Sequence, residues 1–462
     1  MDRELLMRVI RHGLPALLPR TSSRPEGEVQ PGSLPARHTR VQYVELSAGF
    51  APLSEHHGAS TRVRSIVFLH GKPLGMVDLQ PAVAALPERH AAAVGRALDS
   101  AIREHLLQDG LPAPTVLSAE GIPVRGTPAC GVARRAFLAR SPLATVVVPT
   151  RDRPQALGAC LDGLQRLDYP NLDIVVVDNA SRPAAARAIT RICQAQPGVR
   201  CLREERVGVS NARNAGLAAA KGELVAFVDD DAEPDPNWLT ELARGFETEE
   251  EIACVTGLVL PRELDTLPQV WFEDLSRLGK GFASQLYDLR QHRPPDSLFP
   301  YSVGAIGAGA NFAFKTRVLR HLGGFDPELG TGSPARGGED LEMWFRLMKR
   351  GYRIAYQPDG IVYHTHQRDY PSLKKKAFDY GVGLTAFLAK VLAHDPRHAV
   401  AFMPRLPRAL AHILSKSSPK NSGKQANYPA QLTCIELAGM LYGPLAYLRS
   451  RAPRCVSPAQ CG

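Results

Sequence analysis

The chain of 462 residues lacks several features that would assign it to a protein class at once. Its eight cysteines show no CxxC spacing, which argues against a zinc site or a disulfide framework and favours a reducing cytoplasm. It has no uninterrupted apolar run of about 18 residues, so we expect no membrane-spanning helix. The first residues also lack the basic start and long apolar core of a signal peptide.

Positive charge is present mainly at one end of the chain. The formal net charge is +10, and residues 371–462 supply all of it, with 13 Lys and Arg against 3 Asp and Glu. One stretch of this region, 384–392, has apolar residues at helical spacing, and a second, 402–414, is cationic. The pattern indicates peripheral contact with an anionic membrane, a basic helical subdomain packed on the core, or simply solvated lysines. We expect no nucleic acid partner, because no reading motif accompanies the charge.

A short apolar segment in the middle of the chain ends in three carboxylates. Residues 223–228 are rich in valine and phenylalanine and precede Asp229, Asp230 and Asp231. The segment is too short for a helix and predicts a buried strand. Since alternate strand residues point to opposite faces, Asp229 and Asp231 share a side and Asp230 points away. Two such carboxylates suit a divalent cation that also holds phosphate oxygens, although a polar turn before a helix after Pro236 would explain them too.

Two earlier segments repeat this design of a buried strand that ends in polar residues. They cover residues 144–150 and 172–179. Between the three strands, apolar residues recur at helical spacing, namely Leu157, Cys160, Leu161 and Leu164, then Ala212, Ala215 and Ala219. Alternating strands and helices predict a parallel α/β sheet with right-handed crossovers, in which the polar strand ends meet at one edge.

Short motifs follow one another in order through the middle of the chain. They are VVVPT at 146–150, VVVDNAS at 175–181, NARNAG at 211–216 and FVDDD at 227–231, then GAGANFAF at 307–314, GGFD at 323–326 and GGED at 337–340. Together they resemble the donor and acceptor halves of family 2 glycosyltransferases. The resemblance covers residues 144–366 and implies a GT-A type Rossmann-like fold for nucleotide-diphospho-sugar transferases. The QxxRW signature of membrane-embedded synthases is absent.

The resemblance implies a set of residues that bind the sugar donor. They are Pro149, Thr150, Arg151, Asp152, Asp178, Asn179, Arg213, Asp229 and Asp230. Asp178 matches the carboxylate that accepts a hydrogen bond from the nucleotide base, usually uracil, so a UDP-sugar is the expected donor. Arg151 and Asp152 match the wall of that pocket, and Arg213 lies near the diphosphate. Asp178 could instead form a turn, and Arg213 could be an exposed helix charge.

The resemblance also implies a metal cofactor, Mn²⁺ or Mg²⁺. Asp229 and Asp231 match the DxD motif, whose second acid usually binds the metal directly. His364 matches a position that can supply a further ligand, and it shares a strand face with His366. Neutral imidazole is a suitable ligand, but a strand histidine can equally be structural.

Asp340 matches the general base of the family, with Glu339 as the second choice. Four apolar residues place it at the start of a helix that ends near Gly351: Leu341, Trp344, Phe345 and Met348. Glu342 and Arg346 are predicted to form an outward ion pair on this helix. A helix start favours the ionised carboxylate, which weakens a base, but position matters more than a high resting pKa. Asp340 could instead be only a helix cap. The acceptor-binding residues that the family implies are Gly309, Ala310, Asn311 and Gly338.

These observations predict an inverting, metal-dependent glycosyltransferase that moves a sugar from a nucleotide diphosphate to a hydroxyl of a glycan or lipid-linked glycan, as in polysaccharide biosynthesis. One in-line displacement inverts the anomeric centre, and no second nucleophile is evident. The alternative is a non-catalytic nucleotide-sugar-binding or scaffold protein on the same fold. A nucleotidylyltransferase is less well supported, because no glycine-rich signature ending in lysine occurs near the first strand. The expected location is the cytoplasm, with peripheral contact at the inner face of the membrane.

The length predicts more than one domain. Residues 1–140 are expected to form a small α/β accessory domain, with a hairpin over 62–79 and a helix over 91–107. Residues 141–370 form the GT-A domain, and residues 371–462 form the helical basic region.

Overall fold

The computed structural model describes residues 39–52, 61–123 and 126–451, which belong to one compact unit. Most of the opening segment, where no signal peptide is predicted, lies outside the described residues. The last residues of the predicted basic region, from 452 onwards, lie outside them as well.

The described residues contain two β-sheets. Their strands are β1 (Thr39–Glu45), β2 (Arg62–Leu69), β3 (Lys72–Leu79), β4 (Ala144–Thr150), β5 (Leu172–Asn179), β6 (Val199–Glu204), β7 (Leu224–Val228), β8 (Ala232–Pro234), β9 (Ile252–Pro261), β10 (Gln285–Tyr287), β11 (Asn311–Lys315) and β12 (Arg353–His364). The small sheet has the order β1-β2-β3. The large sheet has the order β10-β12-β9-β11-β7-β4-β5-β6, with β8 paired to β12.

The helices cover both faces of the large sheet and form the C-terminal part of the described chain. They are α1 (Pro81–Ala84), α2 (Pro87–Gln108), α3 (Ala129–Leu138), α4 (Pro154–Leu164), α5 (Pro183–Ala195), α6 (Val209–Ala219), α7 (Trp238–Arg244), α8 (Leu267–Ser276), α9 (Thr316–His321), α10 (Glu339–Lys349), α11 (Tyr370–His394), α12 (Pro396–Phe402), α13 (Leu406–Leu414) and α14 (Ala430–Arg451). Short 3₁₀ turns lie at Gly245–Glu247, Val303–Ala305 and Met403–Arg405.

The predicted parallel half of the sheet is confirmed. Strands β7, β4, β5 and β6 are parallel neighbours, joined by α4, α5 and α6. Every residue of β4 and β7 is buried, which explains why these strands are continuously apolar rather than alternating. β11 is antiparallel to β7 and β9, and it links the parallel half to the β9–β12 half. The carboxyl ends of β4, β5 and β7 therefore lie at one edge, as the sequence predicts.

The predicted hairpin near the N-terminus is confirmed as β2 and β3, which pair antiparallel. The predicted helix lies within α2, whose apolar face packs on the small sheet through Val94 and Ile102. Polar contacts join this region to β12 and α7: Lys72 pairs with Asp359 at 2.9 Å, and Arg134 pairs with the fully buried Glu241 at 2.8 Å. The domain boundaries remain a prediction.

Two long helices of the basic region, α11 and α14, pack on each other at very short range. A Cβ on Gly381 would lie 2.0 Å from the Glu436 carbonyl oxygen, and one on Gly439 would lie 2.2 Å from the Phe378 carbonyl oxygen. In addition, α11 packs against the loop before α10, since a Cβ on Gly338 would lie 2.5 Å from the carbonyl oxygen of Gly383. These two helices are part of the core rather than a detached tail.

The segment that includes α12 and α13 differs from its neighbours because it exposes large apolar side chains. The exposed residues are Val400, Met403, Leu406, Leu410 and Leu414. Their spacing of three and four places them along one side of the segment. Across the described ranges, no helix combines the length and apolar character that crossing a bilayer requires.

Candidate active site

The three acids after β7 occupy different environments. Asp230 is buried and accepts hydrogen bonds from Thr150 Oγ1 at 2.8 Å and Arg153 Nη1 at 3.0 Å. Burial raises the pKa of Asp230 to about 6. Asp229, whose side chain is 35% exposed, pairs with Arg213 at 3.2 Å. Asp230 therefore points into the protein, whereas Asp229 is open to a ligand.

Asp231 lies between a cation and a histidine. Its Oδ2 accepts from Arg153 Nη1 at 2.8 Å, and its Oδ1 is 3.4 Å from His364 Nε2. Burial alone raises the pKa of Asp231, but the charges of His364 and Arg153 outweigh it and hold that pKa far below its usual range. Strand pairing brings the two ligand candidates together: His364 is opposite Ala232 in register, and the Thr365 N–H donates to the Asp231 carbonyl.

A chain of hydrogen bonds determines which ring nitrogen of His364 faces Asp231. His366 Nε2 is 2.5 Å from Glu273 Oε1, and His366 Nδ1 is 2.9 Å from His364 Nδ1. Burial lowers the pKa of His366, so its ring is neutral at pH 7. Burial raises the pKa of Glu273, but the bond from His366 outweighs it, so that pKa is lowered and Glu273 is ionised.

The protonation of these groups assigns each donor and acceptor of the chain. An ionised Glu273 needs a donor, so His366 carries its proton on Nε2. His366 Nδ1 is then an acceptor, and His364 donates to it from Nδ1. His364 Nε2 is left facing the carboxylate of Asp231, to which it donates in this structure, and it would present its lone pair to a bound ion. The 3.4 Å between His364 Nε2 and Asp231 Oδ1 is slightly longer than the separation of about 3 Å between neighbouring ligands of an octahedral ion with bonds of about 2.1 Å. Asp229, Asp231 and His364 thus fit a divalent cation.

The two candidate bases at the start of α10 are not equivalent. Glu339 is buried and accepts from Arg213 Nη1 at 2.9 Å. Asp340 is half-buried, and its Oδ2 would lie 2.7 Å from a Cβ on Gly309, so a side chain at that position would displace the Asp340 carboxylate. Burial raises the pKa of both carboxyl groups, and the charge of Arg213 opposes this. Asp340 is the more exposed of the two carboxylates.

Arg213 joins the donor and acceptor sides of the site. It is buried and donates to Glu339, to Asp229 and, at 2.8 Å, to the carbonyl of Gly309. Its guanidinium lies 5.1 Å from the centre of the Phe312 ring. The sequence suggested a contact with the diphosphate or an exposed helix charge. The exposed helix charge is wrong, because Arg213 is buried. Its Nη1 and Nη2 both donate to groups of the protein.

The end of β5 has its polar groups paired within the protein. Asp178 is buried and accepts from Arg203 Nη1 at 2.6 Å and from the Ser181 N–H at 3.1 Å. The Asn179 amide bonds to the carbonyls of Glu204 and Arg206 and to the N–H of Gly208, which fixes the loop before α6. Strand register places Thr150 beside Asp178, so both lie at the predicted edge.

The residues after β4 border an open cavity of about 400 Å³ beside Asp231, a size typical of ligand pockets. Its lining residues are Asp152, Arg153, Gln155, Ala156, Asp231, Thr365, His366, Gln367 and Arg368. Asp152 has a left-handed φ of 58° and accepts from the Arg182 N–H at 2.8 Å. Arg151 is exposed, and Pro149 is buried in β4.

The predicted acceptor residues fall into two groups. Gly309 allows close approach of the Asp340 carboxylate, and Gly338, with a φ of 88°, allows close approach of the Gly383 backbone. Ala310 is buried, and Asn311 is fully buried with both ends of its amide engaged. Its Oδ1 accepts from Trp238 at 2.8 Å, and its Nδ2 donates to the carbonyls of Leu258 and Gly360. Asn311 therefore links strands and offers no free polar atom to an acceptor.

The helix at the predicted base also differs in one detail. Glu342 and Arg346 do pair, at 3.0 Å, but Glu342 is buried and not outward. It also pairs with Lys390 of α11 at 2.9 Å, so the pair is part of the contact between α10 and α11. The apolar face itself is as predicted, with Trp344, Phe345 and Met348 buried.

Several residues at the site have no role in the sequence prediction. Arg153 bridges two of the acids, Arg203 covers Asp178, and Glu273 and His366 orient His364. Arg153 could have been found, since it lies three residues beyond β4 at the predicted edge. Glu273 could not, because nothing near it in the sequence places α8 next to β12.

The middle of the chain is similar to known proteins. Residues 145–323 match the family described as Glycosyl transferase family 2. The chain carries a glycosyl transferase family 2 domain. The mixed sheet and this match confirm the predicted GT-A type fold class.

The relatives match mainly this domain. The pre-mycofactocin glycosyltransferase of Mycobacterium tuberculosis is 30% identical over 241 residues, 51% of this chain and 46% of that protein. The glucosyl-dolichyl phosphate glucuronosyltransferase of Haloferax volcanii is 23% identical over 228 residues, 48% of this chain and 68% of that protein. The match therefore spans about half the length of the first of these relatives. A solved mannosyltransferase from Pyrobaculum calidifontis, in complex with GDP-Man and Mn²⁺, is 20% identical with a TM-score of 0.46, covering 66% of this chain and 88% of that one.

Proposed function

We propose that this chain is a glycosyltransferase that moves a sugar from a nucleotide-diphosphate donor to an acceptor hydroxyl. The observation that carries this proposal is the meeting of Asp229, Asp231 and His364 at one sheet edge, joined through Arg213 to the loop that presents Asp340. A cation site linked to an accessible carboxylate is the arrangement that transfer from a diphosphate requires.

The metal role rests on the ligand set of the site. Asp229, Asp231 and His364 would hold the ion, and Mn²⁺ or Mg²⁺ suits this mixture of carboxylate and imidazole. When bound, the ion would neutralise the charge that develops on the diphosphate leaving group. Arg153 pairs with Asp230 and Asp231 in the structure, which keeps the acids together before any donor binds.

Asp340 acts as the general base in this proposal. Its carboxylate takes the proton of the acceptor hydroxyl as the new glycosidic bond forms. The transfer inverts the anomeric carbon, because a retaining route needs a second nucleophile. The nearby carboxylates Asp229 and Glu339 are both held by Arg213, which leaves Asp340 as the accessible carboxylate of the two at the start of α10.

The donor and acceptor are proposed by class. A UDP-sugar is the first candidate, because Asp178 stands at the end of β5 where the family contacts uracil; Arg203 would have to share that carboxylate. A glycan or a lipid-linked glycan is the proposed acceptor, and the name of one relative specifies a dolichyl phosphate. The exposed apolar stripe of α12 and α13, beside Arg408 and Lys416, supports peripheral contact with an anionic membrane at its cytoplasmic face.

A panel of UDP-, GDP- and dTDP-sugars tests this proposal. Thermal stabilisation by one donor should require Mn²⁺ and should be lost in Asp231→Ala, while the variant stays folded. The non-catalytic alternative predicts the same binding but no release of nucleoside diphosphate over hours. If no sugar nucleotide stabilises the protein with Mn²⁺ present, both versions of the proposal are wrong.

A further inference from the structure

A second group of metal-binding side chains lies far along the chain from the acids described above. His70 lies at the turn between β2 and β3, His105 and Asp109 lie at the end of α2, and Cys130 lies at the start of α3. One ligand atom from each of the four residues lies within 4.8 Å of all the others. Three separate segments of the chain thus converge on one point.

The distances between the donor atoms are those of a nearly formed site. Asp109 Oδ2 is 2.6 Å from His70 Nδ1, 3.1 Å from His105 Nε2 and 3.1 Å from Cys130 Sγ. The two histidine nitrogens are 3.1 Å apart. In a tetrahedral zinc site with bonds of about 2.0–2.3 Å, ligand atoms are about 3.3–3.7 Å apart. Small side-chain rotations would therefore make room for an ion.

Hydrogen bonding alone satisfies this cluster poorly. If both histidines donate to Asp109, their two N–H groups point at each other across 3.1 Å. If one histidine instead presents the lone pair of its ring nitrogen, that lone pair faces the negative carboxylate of Asp109, and the two repel each other. The thiol adds a third donor to the same oxygen. The side chains of His70 and Asp109 are only 5% and 2% exposed, so water cannot relieve the conflict. A cation accepts all four lone pairs at once.

The chain also holds the ligands in place from behind. The carboxylate of Glu45 accepts the backbone N–H groups of His70 and Gly71, both at 3.0 Å, which fixes the turn. Asp109 Oδ1 accepts the Cys130 N–H at 2.8 Å and so ties α3 to α2. His105 and Asp109 are four residues apart and therefore share a helix face. Such outer contacts are typical of built metal sites.

We propose that His70, His105, Asp109 and Cys130 bind one zinc ion. Two imidazoles, a thiolate and a carboxylate suit Zn²⁺ better than Mg²⁺ or Mn²⁺, which prefer oxygen ligands. Four protein ligands leave no position for a substrate, so the ion is structural. It joins the β2–β3 turn to α2 and α3, and α3 in turn carries Arg134 to the buried Glu241 of α7. The absence of CxxC spacing does not exclude zinc here, because the ligands come from distant segments.

Metal content of the full-length protein tests the proposal directly. After growth with added zinc and dialysis against metal-free buffer, we expect about one zinc per chain by elemental analysis. Cys130→Ser should lose most of this zinc. The matched control is Cys434→Ser, which changes an exposed cysteine outside the cluster. Asp231→Ala should retain its zinc, which separates this site from the candidate active site.

Cobalt substitution gives a second measurement on the unmodified chain and does not depend on how the variants fold. Co²⁺ in a tetrahedral site with one thiolate shows strong visible bands and a thiolate charge-transfer band in the near ultraviolet. We expect both in the unmodified protein and in Cys434→Ser, and loss of the charge-transfer band in Cys130→Ser. A chelator should lower the thermal midpoint, and zinc should restore it. A zinc-free protein without a thiolate–cobalt band overturns the proposal, as does a Cys130→Ser variant with unchanged zinc and spectrum.

Discussion

The hydrogen-bonded chain from Glu273 through His366 to His364 provides a sharp prediction. His366→Ala removes the acceptor of the His364 Nδ1–H, now at 2.9 Å, without touching either proposed carboxylate ligand. His364 is then free to rotate or to change its protonated nitrogen. We expect weaker binding of the proposed Mn²⁺ ion, because Nε2 is no longer held in position beside Asp231.

The size of this effect can be worked out from the contacts. Replacing a residue that orients a metal ligand typically weakens metal binding about 10- to 100-fold, or about 1.4–2.7 kcal/mol. The loss also leaves the half-buried Glu273 without its partner, so some destabilisation of the fold is expected. Since both proposed carboxylate ligands remain, saturating Mn²⁺ should restore the rate to within a few-fold of the unmodified protein.

The assay is donor hydrolysis as a function of Mn²⁺ concentration, after treatment with a chelator. His394→Ala is the matched control, because His394 is exposed at the end of α11. The control should keep the half-saturating Mn²⁺ concentration, whereas His366→Ala should raise it about 10-fold or more. A folded His366→Ala variant with the same half-saturation as the control would refute the orienting role of the chain.

Three further predictions follow from the buried charges and the exposed stripe. Arg213→Met should lower the free energy of unfolding by about 3–5 kcal/mol in urea, because it leaves Glu339 buried without its partner; Arg191→Met, at an exposed position, should not. The rate of donor hydrolysis should fall as pH drops through the raised pKa of Asp340, because the protonated carboxyl cannot act as a base. A rate that does not change down to about pH 4 would contradict this. Binding to anionic vesicles should fall, measured by sedimentation, when glutamine replaces Leu406, Leu410 and Leu414; unchanged sedimentation would remove the stripe as the anchor.

The parts of the fold that could be predicted are those that short segments determine. The apolar runs of β4, β5 and β7 form strands because they are buried on both faces, and each ends in polar residues at the same edge. The apolar spacing after Asp340 likewise determines α10 by itself. The positions of Asp229, Asp231 and Asp340 follow from these elements.

What could not be predicted depends on contacts between distant segments. The ion pairs of Arg213 with Glu339 and Asp229 are an example, because only the fold brings these three residues within reach. The sequence shows where in the chain the positive charge lies. It does not show that helices α11 and α14 pack closely against each other at glycine residues. The cluster of His70, His105, Asp109 and Cys130 draws its members from segments that are far apart in the sequence. A motif defined by short ligand spacing therefore does not detect it.

Release of nucleoside diphosphate by Asp340→Asn tests the central claim most directly. The substitution keeps the shape of the side chain but removes its ability to accept a proton. With the donor that binds best, we expect hydrolysis or transfer to fall by about a hundredfold or more while the donor affinity stays within a few-fold. An Asp340→Asn variant that binds the donor and releases nucleoside diphosphate at the unmodified rate would contradict the account.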